Sequence, residues 1–347
     1  RLSGTLDIYQ KKTTDLLISR NLPGSAGFSS TYYNQGSLNN KGVEFSLNAQ
    51  IIDSSSWKWS VSGNIGVNRN EISDLGLLPA DFGCLGERVG YYGNSLGDHF
   101  GVGHIFLAGE APGLFYGYVT QGIVQKEDIT ENGIKYIKQD GSVGYYQTVN
   151  KTTPVAGDVK YVDRNGDGVV DDNDRDIIGN PNPDFTYGFQ TKVSWKSLSL
   201  SASFNGVQGR DILNVGNRYN NTPGTKSNNV TRKAFQNMWT DENPSNLYPK
   251  STFVVQNMVM DRYVEDGSYL RCSDITLSYV LPAKWTNKIG IKNTSVYASV
   301  KNAFVITDYS GYDPEVNSFA FDGLRPGVDM NSYPTPRSFV FGLNLTF

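Results

Sequence analysis

Alternation of apolar and polar residues with period two, sustained over runs of about 9–11 residues, constrains this chain more than any other feature. From Val43 onward, Val43, Phe45, Leu47, Ala49 and Ile51 fall on one face, while Glu44, Ser46, Asn48 and Gln50 fall on the other. After a turn at Asp53–Ser56 the pattern resumes, with Trp57, Trp59, Val61, Ile65 and Val67 set against Lys58, Ser60, Ser62, Asn64 and Asn68. Phe185, Tyr187, Phe189, Val193 and Trp195 oppose Thr186, Gln190, Lys192, Ser194 and Lys196. Leu198, Leu200, Ala202 and Phe204 then oppose Ser199, Ser201, Ser203 and Asn205. Ile275, Leu277, Tyr279 and Leu281 alternate with Asp274, Thr276 and Ser278, and Val296, Ala298 and Val300 with Ser295, Tyr297, Ser299 and Lys301. Successive strand side chains point to opposite faces, so each run has one oily and one wet side.

A soluble sandwich alternates in the same way, and three features decide for a membrane. The runs are long enough for tilted strands to cross a bilayer, where soluble strands are usually shorter. Aromatic residues gather at their ends (Trp57, Trp59, Phe185, Tyr187, Trp195), as interfacial girdles require. Connections alternate between short (Asp53–Ser56, Lys196–Ser197, the moderate Pro282–Asn293) and long (near 11–40, 69–184, 206–268 and 308–337). Short periplasmic turns and long extracellular loops are the barrel habit. The expected fold is all-β, an antiparallel transmembrane barrel. Its strands are expected near residues 2–10, 43–52, 57–68, 185–195, 198–205, 269–281, 294–306 and 338–347, with a further pair between 113 and 150, where Leu114–Gln125 is strand-like. Eight strands could close a small barrel, but the outer loops are too bulky for one.

Composition agrees. Tyr (21), Phe (17) and Gly (37) are abundant and hydrophobic residues reach only 38%, a mix suited to strands and turns rather than helices. No run approaches the roughly 20 apolar residues of a membrane helix, but barrel strands are only half apolar and escape hydropathy plots. The formal charge is 31 − 34 = −3 with no basic run, which argues against nucleic acid as a partner. Cys84 and Cys272 lie far apart without CxxC or zinc spacing, and His99 and His104 leave histidine-based catalysis little to work with. The chain begins at Arg1 without initiator Met or signal peptide, so an upstream part is expected.

The last residues, Ser338 to Phe347, alternate again: Phe339, Phe341, Leu343, Leu345 and Phe347 share a face, with Asn344 and Thr346 on the other. A final aromatic on such a strand resembles the insertion signal of outer-membrane barrels. Ordered motifs along nearly the whole chain add to this. They are Asp7–Leu17 and Asn34–Glu44 near the start, then Gly157–Asp163 leading to Ile178–Phe185. Later come Glu265–Arg271, Ile275–Tyr279, Gly311–Glu315 and Tyr333–Pro334. Together they resemble the SusC/RagA-type TonB-dependent transporters of Bacteroidota. That resemblance implies an upstream plug domain inside a barrel of 22-stranded type, of which this chain would hold only the carboxy-terminal strands. It also implies a multi-pass outer-membrane location amid lipid, a SusD-like surface lipoprotein acting as lid, and import driven through TonB by an upstream segment. The implied cargo is a large nutrient, oligosaccharide ahead of oligopeptide. The plug and the TonB-contacting segment are not among these residues.

One local motif carries metal chemistry. In Asp163-Arg-Asn165-Gly-Asp167-Gly168-Val169-Val-Asp171-Asp-Asn-Asp174, an EF-hand-like reading sets Asp163, Asn165 and Asp167 at positions 1, 3 and 5 and Gly168 at the sharp turn. The Val169 carbonyl takes position 7, Asp171 position 9 and Asp174 position 12. Ca²⁺ wants six to eight oxygens, and the expected role is to stiffen an outer loop. Asp174 departs from the bidentate Glu of an EF-hand, flanking helices are not apparent, and an acidic Asn/Gly-rich turn is the competing reading. The loops also carry aromatics (Tyr32, Tyr33, Tyr91, Tyr92, Phe115, Tyr116, Tyr118, Tyr219, Trp239) that suit sugar, peptide or protein, with simple packing the plainer role for each. No GxSxG, HExxH or phosphate-cradling loop is present, so no enzyme is expected. The rival from another class is a secreted, calcium-binding β-rich adhesion or carbohydrate-binding module, which would be water-soluble with shorter strands.

Overall fold

The structure is a computed structural model that describes all residues except 23, 29, 77–83, 86, 87, 97–99, 223–228, 252–257, 287–290, 292 and 347. Its frame is one antiparallel sheet of eight strands, ordered along the sheet as along the chain. These are β1 (Leu2–Thr14), β2 (Ser37–Asp53), β3 (Trp57–Asp74), β4 (Phe185–Trp195), β5 (Leu198–Gln208), β6 (Tyr269–Val280), β7 (Asn293–Thr307) and β8 (Ser338–Thr346). Each alternating run of the sequence lies in one of them. Several are longer than the patterning indicates: β2 has 17 residues and β3 has 18. Most of the added strand residues are polar (Asn39, Asn40, Arg69, Asn70), held by the continuing ladder rather than by an apolar face.

Directly paired residues of an antiparallel ladder point to the same side, so register turns separate alternations into continuous rows. One apolar row runs Leu6–Phe45–Ile65–Tyr187 across β1 to β4. Another runs Trp59–Val193–Leu200–Leu277–Ala298–Phe341 across β3 to β8. The opposite face carries rows such as Ser60–Lys192–Ser201–Thr276–Ser299. A bulge at Ser273 reverses the parity within β6, so that Arg271 and Asp274 both reach the polar face. On that face Gly42 lies beneath Tyr9 and Gly342 beneath Tyr297. A Cβ at either glycine would meet the ring at 2.2 Å.

The apolar face is uncovered: Phe341 is 79% exposed, Ile8 74% and Leu6 60%. A soluble protein does not leave so wide a patch open to water, whereas lipid is its natural contact. Aromatic rings mark both borders, with Phe185 and Tyr187 at one end and Trp57, Trp59 and Trp195 at the other, where Trp57 stacks on Trp195 at 5.9 Å. In the middle of this face Trp59 Nε1 donates to Thr191 Oγ1 at 3.0 Å. Among the described residues, strand β1 pairs only with β2, and β8 only with β7. An open edge cannot face hydrocarbon, so this sheet is a section of a barrel wall that needs strands on both sides. Among the described residues no helix is long and apolar enough to cross a membrane.

The buried core lies in the long connections at one end of the sheet. Phe115, Tyr118, Tyr136, Tyr146 and Tyr161 from the β3–β4 connection pack with Leu213, Val259 and Met260 from β5–β6 and Val328 from β7–β8. The further strands between 113 and 150 exist as Leu114–Gly117, Thr120–Ile123, Gly133–Ile137 and Val143–Tyr146, but they pair in small sheets of this body and not in the wall. They have four or five residues each, too short to cross a bilayer, and Leu114–Gly117 is buried throughout rather than on alternate residues.

Candidate functional site

The acidic loop sits on the tyrosine-rich body. Gly166 and Gly168 take left-handed φ values of +76° and +84°, conformations that glycine adopts without strain. They let the chain curl so that Asp163 accepts from Gly166 N (2.6 Å) and Gly168 N (2.8 Å). Asp174 accepts from Arg164 N (2.7 Å) and Asn165 N (3.2 Å) through one oxygen and from Asp171 N (2.8 Å) through the other. Asn165 Oδ1 accepts from Asp167 N, Asp167 Oδ1 from Val169 N, and Asp171 Oδ1 from Asn173 N. Asp163 and Asp174 are buried, whereas Asn165, Asp167 and Asp171 lie toward the surface. Val169 belongs to a two-residue strand paired in parallel with Thr148–Val149, and a short 3-10 turn, Asp172–Asp174, takes the place of an exiting helix.

Side-chain contacts fix the loop and the residue after it to the core. Tyr136 Oη donates to the Asp163 carbonyl at 2.6 Å. Burial, then the nearby charges of Asp163 and Asp174, pushes its phenol up to about 12. Burial also raises the Asp174 carboxyl, opposed by its three backbone donors and reinforced by the charge of Asp163. Just past the loop, the Arg175 guanidinium lies 4.3 Å from the centre of the Tyr116 ring, donates to Tyr116 O at 3.0 Å and bonds Val102 O. The six residues expected as ligands are thus brought into one loop. Among the described residues, however, no three His, Cys, Asp or Glu side chains converge as a metal cage.

A second constellation joins wall and loops. Arg271, on the polar face of β6, reaches Asp313 (Nη2 to Oδ1, 2.5 Å) and Glu315 (Nε to Oε2, 2.7 Å) in the β7–β8 connection. Tyr269 Oη donates to Glu315 at 2.7 Å, Arg210 bonds the Pro314 carbonyl, and Asp313 also accepts from Glu315 N and Thr335 N. Glu265 accepts from Asn214, Asn217 and Ser310. Asn180 N donates to Asp211 (2.7 Å) and Asn182 Nδ2 to Pro112 O (2.8 Å). The stretches 265–271 and 311–315, far apart in sequence, form one clamp at the rim, and 178–185 joins it through Asp211, which pairs with Asp266. Sequence reasoning singled out those stretches but not their partnership, because nothing along the chain pairs Arg271 with Asp313.

The aromatics divide. Phe115, Tyr116, Tyr118 and Trp239 are buried and Tyr92 stacks on Tyr116 at 5.8 Å, all packing roles, while Tyr32 is exposed. The side chain of Tyr219, that of Cys84, and all of His99 and Phe347 lie outside the described residues; Cys272 is buried and free.

His104 is fully buried against Phe115, and its Nε2 donates to Pro326 O at 2.9 Å. Burial lowers its pKa from 6.5 to about 4, so the imidazole is neutral at neutral pH. The unfolded chain binds the proton first, so stability is full above about 6.5 and declines as pH falls toward 4. The melting temperature of the loop body should therefore drop between pH 7.5 and 5. In His104→Gln, which keeps a donor for Pro326, most of that drop should vanish.

No family model matches the chain. It is 32% identical over 356 residues to TonB-dependent receptor P26 of Formosa agariphila, covering 100% of this chain and 33% of that relative. To TonB-dependent receptor SusC of Bacteroides thetaiotaomicron it is 32% identical over 357 residues, covering 100% and 30%. Among solved structures it matches the RagAB peptide transporter with a TM-score of 0.71 at 27% identity, over 100% of this chain and 34% of that one. The chain thus spans about a third of the length of the relatives it matches, and those relatives are receptors and transporters rather than enzymes. With the two-faced open sheet, these likenesses show that the chain belongs to the SusC/RagA-type TonB-dependent receptors and forms part of their barrel wall.

Proposed function

We propose that the full-length protein imports a large nutrient across the outer membrane, energised through TonB by a segment outside these residues and gated by a SusD-like lipoprotein lid. The two-faced wall carries this reading. Its outer face is a continuous apolar surface, and its inner face is lined by Ser, Thr, Asn, Gln and Lys that can line a wet path for a polar solute. The long connections, clamped at the rim, are the extracellular surface on which a lid and cargo meet. An oligosaccharide is the first expectation for the cargo; an oligopeptide gains support from the likeness to a peptide transporter. The secreted-module alternative leaves the uncovered apolar face without a partner. Purification from native outer membranes in mild detergent should yield a stoichiometric SusD-like lipoprotein, with glycan or peptide identifiable by mass spectrometry in the complex. A chain that is soluble without detergent and alone sinks this reading.

We further propose that the loop from Asp163 to Asp174 takes Ca²⁺ as a structural ion, through Asp163, Asn165, Asp167, the Val169 carbonyl, Asp171 and Asp174. In support, the motif spacing matches, Gly166 and Gly168 supply the curl, and neither buried carboxylate has a basic partner among the described residues. Carboxylate oxygens that accept one backbone N–H retain a second lone pair for a cation. The loop holds itself together by backbone donors, so the ion would add rigidity rather than create the fold. Millimolar Ca²⁺ should slow proteolysis between residues 163 and 175, and Asp167→Ala should abolish the effect. Titration calorimetry without heat on the wild type would count against it.

A further inference from the structure

We propose that the outward face of β1–β3, just beyond the apolar belt, binds the phosphate-bearing head group of an outer-leaflet lipid; this rests on the outer-membrane reading above. The last apolar row at the loop-bearing end is Ile8–Val43–Val67. One pleat further on the same face stands Gln10–Lys41–Arg69, and one further still Lys12–Asn39–Glu71. Two strand residues rise about 7 Å, which places the cations at head-group level directly above lipid-facing side chains. Long Lys and Arg stems lie along apolar surface while their charges seek the polar layer.

The arrangement is unusual for a sheet. Lys41 and Arg69 are directly opposite one another, a like-charged pairing that destabilises a sheet, and Lys12 is the diagonal neighbour of Lys41. Arg69 has its own partners: Nη2 donates to Asp184 Oδ1 at 2.8 Å, and Nη1 to Asp184 O at 3.0 Å and Pro183 O at 3.2 Å. Asp184 thereby leaves Arg69 neutralised and the start of β4 pinned. Lys12 and Lys41 are exposed, and among the described residues neither ammonium has a hydrogen-bond or ion-pair partner; Glu71 stands nearby without bonding either. Two unpartnered ammonium groups on adjacent strands, above an apolar ledge that acyl chains can cover, fit a phosphomonoester head group. Such a group accepts charge-assisted hydrogen bonds from both lysines at once.

The test uses the full-length protein in nanodiscs of neutral lipid, with and without phosphatidic acid or lipid A. Lipid retention is read by native mass spectrometry and protection by melting temperature. Wild type should retain the phosphate-bearing lipid selectively and melt higher in its presence. Retention should fall by about five-fold for each lysine replaced in Lys12→Gln/Lys41→Gln, while Lys192→Gln on the polar face leaves it unchanged. Equal retention by the double variant, or equal protection by inorganic phosphate alone, overturns the proposal. Gel mobility before and after heating shows that the variant barrel has folded. A wild-type protein that fails to enter nanodiscs at all removes the membrane reading itself, whatever the lysines do.

Discussion

Phe189→Arg is expected to cost roughly 2–4 kcal/mol of barrel stability, whereas Gln190→Arg, one residue on, should be nearly neutral. Both sit in the middle of β4, between the border aromatics Phe185 and Trp195. Phe189 pairs with Phe204 on the apolar face, their rings 6.1 Å apart. An arginine there must carry its charge into the hydrocarbon or distort the bilayer to reach water. Gln190 lies between Ser62 and Ser203 on the polar face, where a guanidinium meets hydroxyls and water. Denaturant unfolding of the full-length protein in lipid vesicles measures both. Equal costs for the two variants would mean that the face exposed here is not the lipid face. The contrast is informative because adjacent residues share backbone, strand and depth, and differ only in the direction of the side chain.

Arg271→Ala should be more damaging still, by about 3–5 kcal/mol, because it strands two carboxylates rather than adding a charge. Arg271 and Asp313 are both nearly buried, at 6% and 10% side-chain exposure. Asp313 is held below the ordinary carboxylate range: burial pushes it up, but bonds from Thr335 and Glu315 N together with the charge of Arg271 outweigh that. Without the guanidinium the β7–β8 connection loses its attachment to the wall. Limited proteolysis should then cut between residues 308 and 337 at concentrations that leave wild type intact. Arg271→Lys keeps the charge but cannot reach Asp313 and Glu315 with separate nitrogens of a planar fork, so it should fall between the two. If the alanine variant resisted protease as well as wild type does, the clamp would be a by-product of packing and not its cause.

The wall was legible in the sequence because its physics is local. Alternation of the kind seen from Val43 to Ile51 and from Leu198 to Phe204 states which side chains share a face, whatever the strand pairs with. The border tryptophans and the short turns then decide between lipid and water as the medium. Register, bulges and the true strand ends were not legible. The polar residues that extend β2 and β3 carry no alternation, and the parity switch at Ser273 is fixed by its neighbours in β5 and β7. The acidic loop was readable as a motif because its spacing is local too, yet the folding of Asp163 and Asp174 onto backbone donors emerges only in three dimensions.

The loops show the limit most plainly. Along the chain their tyrosines suit binding and packing equally, and only the tertiary structure separates buried Tyr116 and Tyr118 from exposed Tyr32. The same holds for Arg271 and Asp313, which are 42 residues apart in sequence. What the sequence determined by itself was a two-faced strand set that requires lipid on one side. What tertiary structure alone decided was how three long connections share one core and one rim clamp. Side-chain alternation is set residue by residue by the extended backbone itself, whereas burial and ion pairing are set by which distant segments happen to meet.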